Sequence, residues 1–300
     1  MNILLLGKHG QVGWELQRAL APLGQVIACG RAQADLEDFA ALAKLVRTTN
    51  PAVVVNAAAY TAVDRAQTDA ACALRVNAEA VEVLAAEARR IDCLLVHYST
   101  DYVFDGSKTG AYVETDTPAP LNVYGETKLA GERAISDSGC RHLTFRTSWV
   151  YAGRGSNFAA TMLRLAAERD ELQVVSDQIG APTSAELIAD VTALALHHLL
   201  DHSGAVPAGG LYHLAANGVT SWHGYAQMVI AEAARLGAKL RVAPGQIRPI
   251  GSAAYPAPAK RPHNSTLDTG KLRRDFGLTM PPWQFHVQRM LEQQFFGNRS

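Results

Sequence analysis

Tyr124 and Lys128 stand four residues apart in LNVYGETKLAGE, and HYSTDYVF upstream places Ser99 and Thr100 at the end of an apolar run. An acid, a cation to tune it and a hydroxyl partner are the parts of a proton-donating site. A free phenol, with a pKa of about 10, moves protons poorly near neutrality unless its surroundings help. A helix over 123–136 puts positions four apart on one face, so the spacing predicts the Lys128 ammonium beside the Tyr124 phenol. An exposed Tyr and Lys on any amphipathic helix give the same spacing, so the neighbouring segments must decide.

The chain opens MNILLLGKHGQVGWELQRAL, which reads as a buried strand over 3–6, a glycine turn, and a helix whose apolar face carries Val12, Leu16 and Leu20. Gly7, Gly10 and Gly13 make a GxxGxxG spacing. A backbone without Cβ atoms can bend there and approach a pyrophosphate, while the helix start presents free N–H groups. Gly7, Gly10, Gln11, Val12 and Gly13 are therefore candidate dinucleotide-binding residues. An ordinary strand-to-helix turn would use the same glycines, but the position between a strand and a helix favours the dinucleotide.

The elements around these residues alternate. Strands are predicted over 26–29, 52–57 and 93–99, with helices over 36–48 and 77–90 between them. A strand over 142–150, a helix over 157–169, a strand over 172–176 and a helix over 184–202 continue the pattern. Such alternation predicts an α/β doubly wound parallel sheet of the Rossmann type. From residue 209 the chain is richer in proline and glycine, with a strand over 210–215, a helix over 222–236, a loop over 244–262 and helices over 269–276 and 282–296. The division expected is a dinucleotide-binding domain of residues 1–150 with about 172–202. A smaller C-terminal α/β substrate-binding domain takes about 203–300 with about 151–171.

Composition bounds the partners. The 300 residues are 48% hydrophobic and 19% charged, with 28 basic and 28 acidic side chains and a formal net charge of zero. Without a basic run there is no electrostatic footprint for nucleic acid or an anionic membrane. No apolar stretch is long enough to span a bilayer, and ILLL is broken too early for a signal-peptide core, which predicts a cytoplasmic protein. Cys29, Cys72, Cys93 and Cys140 lack metal-ligand spacing and read as small buried or half-buried thiols. His9 and the other histidines show no partner in the sequence and are assigned no chemistry.

The Gly7 turn, NAAAYTAVD over 56–64, VNAEAV around Asn77, YSTDYVFDG, VYGETKLAGE and RTSWVYAGRGSNF together resemble the extended short-chain dehydrogenase/reductase family. Within it they most closely resemble the dTDP-4-dehydrorhamnose reductases. VSDQIGAPTSAEL, TSWHGY, SAAYPAPAKRP and the final helix extend the likeness over essentially the whole chain. The resemblance implies hydride transfer from a nicotinamide cofactor to the 4-keto carbon of dTDP-4-dehydro-6-deoxy-L-mannose, giving dTDP-L-rhamnose. Carried over, Tyr124 donates the proton to the developing alkoxide. Lys128 holds the nicotinamide ribose and lowers the tyrosine pKa, and Thr100 polarises the keto oxygen. Asp101 contacts the sugar or caps the following loop, Trp149 packs on the thymine, and Arg261 meets the diphosphate. Related 4,6-dehydratases carry Asp-Glu after the Thr, whereas this chain has Asp101-Tyr102, which removes the second carboxylate and favours simple reduction.

The second strand ends in ACGRAQADL, with Gly30 and Arg31 where a carboxylate usually meets the adenosine ribose of NAD(H). An arginine without that acid predicts NADPH, with NADH also usable. Asp35 and Leu36 flank the adenine, and Ala59, Tyr60, Thr61 and Tyr98 line the cofactor. Some bacterial members of the family are homodimers holding Mg2+ at the interface. The likeness places Glu15 and Glu186 as two ligands and Glu292 as a third, though three surface glutamates on helices explain them equally. Any such ion would be structural. Two other functions fit the sequence: a reductase or epimerase for another nucleotide sugar, and a non-catalytic dinucleotide-binding regulatory subunit resembling the methionine adenosyltransferase beta subunit. The intact Thr100, Tyr124 and Lys128 speak against the latter.

Overall fold

A computed structural model describes residues 1–201 and 209–296. The first half runs β1 (Asn2–Leu6), α1 (Gln11–Leu20), β2 (Gln25–Cys29), α2 (Phe39–Thr49), β3 (Val53–Asn56), α3 (Val63–Ala66), α4 (Ala70–Leu74), α5 (Ala80–Arg90) and β4 (Leu94–Thr100). Next come α6 (Val123–Ser138), β5 (His142–Thr147), β6 (Val150–Tyr151), α7 (Phe158–Glu168), β7 (Leu172–Val175), β8 (Ile179–Gly180) and β9 (Thr183–Ser184). The chain closes with α8 (Ala185–Asp201), β10 (Gly210–His213), β11 (Thr220–Ser221), α9 (Trp222–Arg235), β12 (Ile247–Ile250), α10 (Gly270–Phe276) and α11 (Trp283–Phe296).

Six parallel strands form the main sheet in the order β10-β5-β4-β3-β1-β2. The period-two alternation of strand side chains splits β1 between two cores. Ile3 and Leu5 join Leu16 and Leu20 of α1, Ile188 of α8 and Val287 of α11, whereas Leu4 and Leu6 join Val46 of α2 and Leu84 of α5. Helices thus cover both faces, and each fully buried Leu contributes about 1.5–3 kcal/mol. The expected doubly wound sheet is present. The order reverses between β1 and β3, so their carboxyl ends open the crevice in which such sheets take ligands. Among the described residues no helix is long and apolar enough to cross a membrane.

The smaller unit is divided differently from the expectation. β10, expected there, is the edge strand of the main sheet, because Tyr212 and Leu214 fill its core. β7, expected with the sheet, pairs instead with β12, and Leu172, Val174 and Ile247 bury against Met162 of α7 and Ile230 of α9. The segment read as a loop over 244–262 therefore contains a strand. Pro249 sits in β12, which among the described residues pairs only with β7; Ile250 O accepts from Ser176 N–H, so Pro249, at the alternate position, faces away from β7 and its missing N–H breaks no ladder bond. The boundary at about 203, like His202 of the expected 184–202 helix, lies outside the described residues.

Local chemistry moved other boundaries. Asp38 accepts from Ala41 N–H and caps α2, so that helix starts at Phe39 rather than at 36. The helix expected over 77–90 begins earlier, at α4, and passes through a π turn at Arg75–Glu79. The strand expected over 142–150 stops at Thr147, because Trp149 takes a left-handed conformation at φ 49°, and β6 then pairs with β9.

Candidate active site

At the end of β1, Gly7 takes φ +85°, and a Cβ there would stand 2.7 Å from Ala58 N. A Cβ on Gly13 would stand 2.7 Å from the Gly7 carbonyl carbon. The two glycines let the loop lie flat between α1 and the carboxyl end of β3. α1 begins at Gly10, which supplies no side-chain cap, so the N–H groups of the first turn remain available for an anion.

This loop forms one end of a cleft of about 1070 Å³. Gly7, Gly10, Gln11 and Val12 line it, as do Arg31, Asp35, Leu36, Ala59, Tyr60 and Thr61 at the far side of the crevice. Tyr98, Thr100, Asp101, Tyr124, Lys128 and Trp149 line it too, so nearly all the candidates share one space. Gly13 and Arg261 do not border it: Gly13 packs beneath the loop, and Arg261 pairs with Asp64 at 2.7 Å and donates to Ala259 O. That guanidinium holds the Asp64 carboxyl below the usual carboxylate range.

α6 carries Tyr124 and Lys128. Asn122 caps it by accepting from Gly125 N–H at 2.9 Å, and its amide donates to Lys260 O, pinning the helix start to the C-terminal segment. Loss of water around the Tyr124 hydroxyl pushes the phenol up to about 12, and the nearby Thr100 hydroxyl pulls the other way. Lys128 is 2% exposed, and burial pushes its ammonium down to about 8, against the pull of Glu132 one turn further on. Its Nζ donates to Tyr98 O at 2.6 Å and lies 3.2 Å from His97 Nε2. The sequence placed this cation beside the phenol and had it lower the phenol's pKa. In the chain alone the hydrogen bonds of Lys128 run to β4, and the phenol stands above its ordinary value.

Thr100 closes β4. Its hydroxyl donates to Asp101 Oδ1 at 3.1 Å and accepts from Tyr102 N–H at 3.2 Å, so Thr100 rather than Asp101 caps the turn Asp101–Val103. Burial pushes the Asp101 carboxyl up to about 6, against hydrogen bonds from Ser265 and Thr100. Its Oδ2 is buried and has no partner among the described residues. Trp149 stacks on Trp222 of the smaller unit, centroids 3.6 Å apart and planes 12° from parallel. One indole face is therefore covered, a neighbour the sequence did not indicate.

Two expectations change. The cofactor argument assumed no acid beside Arg31, yet its guanidinium reaches Asp35 at 3.4 Å and Glu37 at 2.7 Å, and Glu37 lines the same cleft. The chain bends back after β2, so acids four and six residues downstream stand where the strand-end residue does not. The three glutamates proposed for Mg2+ do not assemble. Glu15 and Glu186 border one small cavity, but each faces an arginine, Arg18 and Arg289, while Glu292 lies near Arg235. No group of three or more potential metal ligands occurs within one chain among the described residues, and the set expected at a dimer interface would be completed only by a second chain.

Sequence reading missed the residues that hold the site from behind. Asn77, on the π turn, accepts from Tyr60 N–H at 2.9 Å and donates to Tyr60 O and Thr127 Oγ1, tying the loop after β3 to α6. Glu132 accepts a bidentate pair from Arg146 of β5, at 2.9 and 2.6 Å, and a bond from the Ser99 hydroxyl. The available signal was a polar residue on the apolar face of a helix, since burial tolerates such a group only when it is bonded.

The family model described as "RmlD substrate binding domain" matches residues 1–295. A dTDP-4-dehydrorhamnose reductase of Escherichia coli (strain K12) is 52% identical over 303 residues, covering 98% of each chain. One of Burkholderia thailandensis is 51% identical over 288 residues, covering 96% of this chain and 97% of that one. Among solved structures, a dTDP-4-dehydrorhamnose reductase of Bacillus anthracis in complex with NADP superposes with a TM-score of 0.85. It is 31% identical and covers 99% of both chains.

Proposed function

We infer, because this chain belongs to the RmlD substrate binding domain family, that it is an NAD(P)H-dependent dTDP-4-dehydrorhamnose reductase. It reduces the 4-keto group of dTDP-4-dehydro-6-deoxy-L-mannose to give dTDP-L-rhamnose, the last step in making that nucleotide sugar. The observation that carries the reading is the single cleft in which the Gly7 loop, Thr100, Tyr124 and Lys128 meet.

The nicotinamide cofactor, when bound, supplies the hydride to C4. The Gly7 loop and the uncapped start of α1 suit its diphosphate, and Lys128 suits the nicotinamide ribose. Tyr124 delivers the proton to the C4 oxygen. A reductive acid must arrive protonated, and a phenol near 12 is fully so at neutral pH while still matching an alkoxide acceptor. Thr100, whose hydroxyl lies near the phenol, shares the keto oxygen with it. Asp101 Oδ2, buried at the cleft with no partner among the described residues, accepts from a sugar hydroxyl. The smaller unit, built on α7, β7, α9 and β12, is the sugar-nucleotide side, with the Trp149–Trp222 stack beside the base. The Bacillus anthracis relative solved with NADP supports NADPH as the preferred cofactor and NADH as a usable one, even with Asp35 and Glu37 facing Arg31; the protein acts in the cytoplasm and works as a homodimer.

The test is cofactor oxidation by the purified chain with dTDP-4-dehydro-6-deoxy-L-mannose, followed by absorbance, with the product identified by NMR. Turnover that Tyr124→Phe abolishes supports the reading. Absence of oxidation with either cofactor refutes it.

A further inference from the structure

His97 is 1% exposed beneath the cleft, on β4 directly across from Asn56 of β3. A directed chain of hydrogen bonds passes through it. Ala58 N–H lies 3.2 Å from Asn56 Oδ1, Asn56 Nδ2 lies 3.3 Å from His97 Nδ1, and His97 Nε2 lies 3.2 Å from Lys128 Nζ. A backbone N–H can only donate, so the Asn56 oxygen is taken and its NH2 faces the ring. An amide NH2 also can only donate, so Nδ1 must accept. Burial and the neighbouring Lys128 and His142 keep the imidazole neutral. A neutral ring whose Nδ1 accepts carries its hydrogen on Nε2, and that hydrogen points at Lys128.

An ammonium has no lone pair to receive it, whereas an amine has one. The bond from Nζ to Tyr98 O is open to both forms. We propose that His97 is a positioning residue of the reductase: as the Nε2–H tautomer it donates to Lys128 Nζ and opposes the ammonium form of that side chain. The groups acting on Lys128 are then Glu132 from α6 and Tyr98 O and His97 from β4, with His142 of β5 acting on His97 itself. Glu132 favours the charged form, and His97 is set against it. The same chain links the loop after β3, through Ala58 and Asn56, to the proton-handling side of the site.

The tautomer is read without any turnover. Long-range proton–nitrogen correlation on the whole chain labelled with 15N-histidine should show His97 bearing its hydrogen on Nε2 at neutral pH. The resonance is identified by its loss in His97→Gln or, if that variant does not fold, by its contacts to Lys128. Asn56→Leu frees the ring to adopt the other tautomer and accept from the ammonium. The pH at which turnover falls off should then move upward by about half to one unit, the reach of one hydrogen bond. An Nδ1–H tautomer in the unmodified chain, or a falloff that stays or moves down in Asn56→Leu, overturns the proposal. The kinetic arm alone rests on the reductase reading: a chain with the Nε2–H tautomer that reduces nothing refutes that reading instead.

Discussion

Replacing Glu132 by Gln tests how the site is held from behind. The Glu132 side chain is 8% exposed and that of Arg146 3%, and both carboxylate oxygens accept from the guanidinium, one of them also from Ser99. Arg146 lies over the Phe104 ring at 5.0 Å. A glutamine keeps the shape but turns an NH2 toward a donor and leaves the buried cation uncompensated. Breaking a buried pair from one side costs about 3–5 kcal/mol, a fifth or more of a typical total of about 5–15 kcal/mol. Urea unfolding should show that loss, with a melting temperature lower by roughly 5–8 °C. Lys128 loses the carboxylate that supports its charge, so the upper pH limit of turnover should also move down. Glu132→Leu combined with Arg146→Met, which removes both charges, should recover most of the stability. A Glu132→Gln chain within about 1 kcal/mol of the unmodified one, against that estimate, or a double variant no better than the single, refutes the reasoning.

Gly13→Ala should cost about 1–3 kcal/mol, because its Cβ meets only backbone, whereas Gly10→Ala, whose nearest neighbour would be 3.4 Å away, should keep the melting temperature and weaken cofactor binding; equal melting of the two variants counts against the loop geometry. Asp101 is raised in the folded chain to about 6, so its contribution to stability is complete below its unfolded value and is lost as pH rises through about 6. Asp101→Asn should therefore be more stable at neutral pH and above, by on the order of 2 kcal/mol, with a flatter stability curve between about pH 4 and about pH 7; urea titrations across that range decide it. Glu37→Gln frees Arg31 from its 2.7 Å partner and should tighten NADPH binding relative to NADH; an unchanged ratio of the two dissociation constants in fluorescence titration dismisses Glu37 as a determinant of cofactor choice.

The line between what could and could not be read falls at sequence distance. Tyr124, Lys128 and the Gly7 loop were legible because each motif is local: a helix repeat brings positions four apart together, and a strand–glycine–helix run has one dominant geometry. β10 and β7 were assigned to the wrong units because a short apolar strand carries no mark of its partner. The pairing is chosen by which core has room for Tyr212 or for Leu172. Arg31 was read with its strand neighbours, whereas its charge is answered by Glu37 after the chain turns back.

The sequence by itself determined the alternation of strands and helices, the glycine turn after β1 and the helical spacing of Tyr124 and Lys128, because these rest on backbone sterics and side-chain period. Only the tertiary structure decided the state of those groups. Water excluded by packed strands raises the Tyr124 phenol and Asp101 and lowers Lys128, and Glu132 and His97 act on Lys128 from positions defined by helix packing and strand register. Protonation depends on the dielectric and charges within a few ångströms, and those neighbours come from segments that only folding brings together.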